Sequence, residues 1–181
     1  MPPAPATIEI RTTADDHRVA RLAALAMALA VADAAFPSPI PGVKPGLANI
    51  VVLVALARYG FGVAAWVSVL RVVAAGIAFG SFLTPGFFLS CAGAAASLAV
   101  LALASRLPAA WFGPVSHSVL AAFGHIAGQL ALAALWLVPA SAALALAPVF
   151  AIAALVFGTV NGIVAARWLR AAESRPESQP A

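Results

Sequence analysis

Few residues in this chain can do polar chemistry, because 64% of it is hydrophobic and only 9% is charged. Asp33, Lys44, Asn49, Arg71, His117, His125, Gln129 and Asn161 stand within or between long apolar runs. A charge at the centre of a bilayer costs at least about 2.5 kcal/mol on insertion scales, so such a residue is expected to face protein or water. Arg71 is the strongest of these signals. It is either half of a structural ion pair with Asp33, the one acid in the apolar zone, or a cation that holds an anionic ligand. Lys44, the only lysine, lies between two Pro/Gly turns that restrict it, although a solvated loop residue is the plainer reading. Gln129 follows His125 by four residues, which places both on one helix face beside Gly124 and Gly128. Asn161 sits between Gly158 and Gly162. For His125 and Asn161 a hydrogen bond between helices competes with ligand contact. Asp33, Lys44, Asn49, Arg71, His125, Gln129 and Asn161 are the candidate ligand-binding residues.

Several other chemistries find no support in the residues. The chain has no Gly-x-x-x-x-Gly-Lys-Ser/Thr phosphate loop, no nucleophile elbow and no His-Glu-x-x-His pair. Asp15 and Asp16 lie in a polar stretch and Asp33 stands apart, so no carboxylate pair is placed for acid–base or magnesium work. Cys91 is the only cysteine, and no ligand set accompanies the histidines, so neither a disulfide, a metal centre nor a cofactor is expected. The basic residues fall at the ends of apolar runs and form no patch that could track phosphates, which argues against nucleic acid. A binding or transport role, and no enzyme activity, is the expectation.

The elements that must position these residues follow from the hydropathy. A mean hydropathy of +1.03 over 181 residues implies an integral membrane protein. The stretch Phe36–Ile50 carries Pro37, Pro39, Pro41, Pro45, Gly42 and Gly46, and no helix continues through that spacing. Around it, helices are predicted over 18–36, 46–57, 61–80, 87–105, 117–138 and 142–166. The fold class is therefore all-α, a polytopic bundle of about six transmembrane helices. The second segment is short, and it is read as a span, with a re-entrant half-helix as the alternative. The domain plan is a polar tail over 1–17, a six-helix transmembrane domain over 18–170 and a polar tail over 171–181.

Alanines recur every fourth residue at 20, 24, 28 and 32, and again at 26, 30 and 34, a spacing that lets another helix approach closely. Plain alanine abundance accounts for the same pattern. Gly76 and Gly80 have small-residue spacing as well. Six spans would place Arg11, Arg18, Arg21, Arg58, Arg106, Arg167, Arg170 and Arg175 on one side and only Lys44 on the other. The positive-inside rule then predicts a multi-pass protein of the bacterial plasma (inner) membrane with both termini cytoplasmic.

The run Pro41-Gly42-Val43-Lys44-Pro45-Gly46-Leu47-Ala48-Asn49-Ile50 resembles the signature of a bacterial membrane family described as Gx transporter or heptaprenyl diphosphate synthase component I. Gly124-His125-Ile126-Ala127-Gly128-Gln129-Leu130 resembles a second block of that family, with Ile126 where Asn is common. The family is similar in size and span count to the substrate-binding S components of energy-coupling-factor (ECF) transporters. That resemblance implies a membrane-embedded uptake component for a vitamin-like or anionic metabolite. It also implies a transmembrane coupling protein and ATPase subunits as partners, besides lipid and the ligand. The alanine rows would be the docking face, 37–45 an external lid, and His125, Gln129 and Asn161 pocket lining. The alternatives are an accessory subunit of quinone- or flavin-linked electron transfer, or of polyprenyl diphosphate synthesis. An Asp-rich motif of the kind prenyl synthases use is missing among the three aspartates, so in the last case the role would be non-catalytic.

Overall fold

A computed structural model of the chain describes residues 12–35, 45–108 and 112–174. These form six helices: α1 (Ala14–Ala35), α2 (Ala48–Tyr59), α3 (Phe61–Ala78), α4 (Pro85–Ala104), α5 (Pro114–Trp136) and α6 (Ala140–Glu173). No strand occurs among the described residues. The helices start where local chemistry predicts. Thr13 caps α1, its Oγ1 accepting from the Asp16 amide at 3.2 Å while Asp16 Oδ2 accepts from the Thr13 amide at 2.8 Å. Thr84 caps α4, and proline occupies the first turn of α4 and of α5.

Four helices, α3 to α6, are long and apolar enough to cross a membrane. Large apolar side chains on them face outward, as Leu135, Leu144 and Ile152 do, which suits a lipid environment. The chain is a polytopic membrane bundle. α1 has 22 residues but carries Arg18, Arg21 and Asp33. α2 has 12 residues, about 18 Å at 1.5 Å per residue, short of a bilayer core of about 30 Å.

The short α2 lies at the centre. Ala48 and every residue from Ile50 to Ala55 are buried, and the cluster they anchor takes Ala26 from α1, Ala64 and Val67 from α3, Leu101 from α4, Ala121 from α5 and Ala165 from α6. A helix that is apolar on all sides belongs in such a place. α2 also runs antiparallel to α1 over its whole length. Asp33 near the end of α1 holds Gly46 just before α2, and the Arg18 guanidinium near the start of α1 lies 4.8 Å from the ring centroid of Tyr59 at the end of α2. The segment therefore runs from one end of the bundle toward the other. Gly60, with φ +85° and ψ 178°, reverses the chain into α3 in one residue, a conformation that L side chains rarely adopt.

The other tight region is α4–α5–α6, where helices pack most extensively. A Cβ on Gly128 would lie 2.6 Å from the Ala92 carbonyl oxygen, and one on Gly162 would lie 2.6 Å from Val115 Cα. Backbones therefore meet directly at both seams, as the glycine spacing predicts. Gly76 and Gly80 do not form such a seam. The Phe87 ring fills the space at Gly76, and Gly80 is a turn residue with φ +64° and open space around it. The first alanine row of α1, Ala20, Ala24, Ala28 and Ala32, is exposed throughout, whereas the second runs from the fully buried Ala26 through the half-buried Ala30 to the exposed Ala34.

Alternating helix direction gathers Arg18, Arg21, Arg58, Arg106, Arg167 and Arg170 at one end of the bundle. The opposite end carries the turns before α2, α4 and α6, with a chain of aromatic contacts from Phe82 through Phe87 and Phe88 to Trp136. α6 runs on through Arg167 and Arg170 to Glu173, further than the apolar run alone predicts. Its last turns remain helical because Ala165 and Leu169 still pack on the central cluster.

Candidate functional site

Two adjoining cavities open toward the end of the bundle away from the arginines. The first, of about 240 Å³, is lined by Asp33 of α1, by Arg71 and Ala75 of α3, and by Phe87 and Ser90 of α4, with His125 of α5. The second, of about 210 Å³, is lined by Asn49 of α2, by Gln129 of α5, and by Phe150, Phe157 and Asn161 of α6. Ser90 and His125 line both. Six of the seven candidate residues thus converge on one region from five helices. Lys44 lies outside the described residues. His117 stands at the other end of the bundle.

Each side chain has a definite local state. Asp33 Oδ2 accepts from the Gly46 amide at 2.9 Å, fastening the chain that enters α2. Asn161 fastens the same place from the other side, its Nδ2 donating to the Pro45 carbonyl at 2.8 Å and to the Gly46 carbonyl at 3.3 Å. Asn161 therefore ties distant segments together and also borders a cavity. Asn49 and Gln129 make no side-chain hydrogen bond among the described residues, so their amides face the cavity unspent.

Arg71 sits seven residues before the end of α3, about 10 Å in at 1.5 Å per residue. Its Nε is buried without a hydrogen-bond partner. Asp33 acts on it as a charge across the cavity and His125 is within its electrostatic reach. A buried donor left unmade costs about 1–3 kcal/mol, which a bound carboxylate or phosphate would offset through paired N–H donors. The Nδ1 of His125 is likewise buried and unpartnered. The imidazole packs directly on Gly93: a Cβ there would stand 2.7 Å from His125 Nε2, so the ring would have to shift. The ring therefore forms a partition between a charged compartment and an amide-lined one.

Ser90 and the aromatic pair Phe150 and Phe157 escape sequence reasoning. Ser90 Oγ donates to the Gly86 carbonyl at 2.9 Å, a bond open to any helical serine, so nothing local marks it. The phenylalanines resemble the lipid-facing residues around them. Among the described residues no group of three or more His, Cys, Asp or Glu side chains is placed to hold a metal ion. The arrangement can instead hold a small molecule with an anionic group at Arg71, hydrogen-bonding groups at Asn49 and Gln129, and an apolar part against Phe150 and Phe157.

A family model described as heptaprenyl diphosphate synthase component I matches residues 22–168. No curated protein and no solved structure matches the chain.

Proposed function

The chain belongs to the heptaprenyl diphosphate synthase component I family, and from that premise we propose that it is a non-catalytic membrane capture protein, the binding component of a small-molecule uptake system resembling an ECF S component. The observation that carries this reading is the convergence of Asp33, Asn49, Arg71, His125, Gln129 and Asn161 on two adjoining cavities that share Ser90 and His125 in their walls. The ligand is an anionic or vitamin-like metabolite, with Arg71 as its charge partner. Uptake needs energy from elsewhere, so a transmembrane coupling protein with ATPase subunits completes the system. The exposed row Ala20, Ala24, Ala28 and Ala32 suits the close approach of such a coupling protein. In this arrangement the chain resides in a bacterial inner membrane with its arginine-bearing end and both termini in the cytoplasm.

The test is the small molecule that co-purifies with the detergent-solubilised protein, identified by mass spectrometry. Arg71→Gln is expected to lose it, with affinity down at least about thirtyfold for a charge-assisted contact of roughly 2 kcal/mol, while the protein stays folded. A folded Arg71→Gln variant that retains the molecule at wild-type affinity ends this reading.

The family description favours a second reading, in which this chain is the membrane component of a two-part polyprenyl diphosphate synthase. Prenyl transfer by the partner component, assayed with and without this chain in the same vesicles, distinguishes the two. A rate that requires this chain, together with no co-purifying metabolite, would select the second.

A further inference from the structure

A separate cavity of about 400 Å³ lies at the arginine-bearing end, walled by Leu53, Leu56, Phe61, Leu107 and Phe112. It forms where α2 ends, α3 begins, α4 ends and α5 begins. Its polar lining is Ser105 and His117. His117 Nδ1 lies 2.9 Å from the Gly113 carbonyl oxygen. A carbonyl only accepts, so Nδ1 carries the hydrogen and Nε2 is the ring atom left for a guest. Two arginines adjoin the lining residues along the chain. Arg106 lies between the lining residues Ser105 and Leu107, and Arg58 follows the lining residue Ala57. Both are exposed, and neither forms an ion pair among the described residues.

An apolar chamber with cations and an imidazole beside it complements an amphiphile with an anionic head. We propose that this cavity is a lipid site, which takes one acyl chain of an anionic phospholipid and holds its phosphate with Arg58 and Arg106. A free phosphate would leave the chamber unfilled, whereas an acyl chain would occupy it. The row of arginines marks this end as the headgroup level, where basic pockets between helices bind anionic lipids. The central cavities play no part, so this site stands whatever they bind.

The full-length protein in phosphatidylcholine nanodiscs, titrated with phosphatidylglycerol and read by native mass spectrometry, tests the site. The expected result is retention of one phosphatidylglycerol per chain. Retention should fall about tenfold or more in Arg58→Gln/Arg106→Gln and in Leu56→Trp, which fills the chamber but keeps the charges. Should Leu56→Trp not fold, Leu107→Trp makes the same test from the half-exposed edge of the chamber. If the charge variant loses the lipid while the folded tryptophan variant keeps it, attraction is to the surface alone and the proposal fails. It fails equally if inorganic phosphate displaces the lipid, or if wild-type protein retains phosphatidylcholine and phosphatidylglycerol alike.

Discussion

The two halves of this bundle hold together in different ways. In α1–α3, large aliphatic side chains interlock around α2, where Val51 is fully buried and Leu53 nearly so. In α4–α6, glycines bring backbones into contact, and the large side chains turn outward to lipid. The first arrangement leaves room at its edge, and there Asp33 and Arg71 sit. The second is closely fitted and holds His125, Gln129 and Asn161 at fixed height. The cavities lie at the seam, where the two kinds of packing meet and neither fills the space. A site built this way takes its charge from the first half and its hydrogen-bonding groups from both, Asn49 from α2 and Gln129 and Asn161 from α5 and α6.

If the second half depends on backbone approach, Gly162→Leu should break it most severely. The new side chain would have to enter the space of Val115 Cα, and we expect a loss above about 3 kcal/mol, seen as failure to purify as a monodisperse protein. Leu53→Ala probes the first half. Its cost should be about 2 kcal/mol by reversible unfolding in detergent micelles, below the range of water-soluble cores, because the unfolded segment already lies among apolar chains. Equal losses for the two would erase the distinction drawn here.

Gly93→Ala tests the seam itself. The imidazole of His125 can swing away from the added methyl group, so stability should fall by less than about 1 kcal/mol. Ligand affinity should nevertheless change by about tenfold, since the partition between the compartments moves. The smallest effect belongs to the exposed start of α1. Hydrogen bonds from the Thr13 backbone and side chain hold the Asp16 carboxyl below its ordinary range. A depressed folded-state value means that the stabilisation is present above the unfolded value near 3.8 and is lost as pH falls through the folded one. Asp16→Asn should therefore melt slightly lower than wild type at pH 6, and the gap should close as the pH is lowered below 3.8.

Some of this was legible in advance for a physical reason. The cost of burying Arg71 or His125 in an apolar run is a local property, readable without knowing what lies opposite. The same holds for the Pro/Gly break before α2 and for the glycine pairs of α5 and α6. Ser90 could not be found that way, because its hydroxyl satisfies itself within its own helix. Nor could the pairing of Gly93 with His125, since neither residue constrains the other along the chain.

The amino-acid sequence by itself determined a helical membrane protein, the number and approximate limits of its helices, and the polar residues that need a reason. Hydropathy and helix-breaking act over a few residues, so one dimension suffices for them. Only the tertiary structure decided that the shortest helix is the central one. It alone decided that Asn161 ties down a segment 116 residues away, and that charge and amide groups meet on either side of His125. Those outcomes depend on which helix faces meet and how closely. At the glycine seams that is a matter of tenths of an ångström between segments remote along the chain.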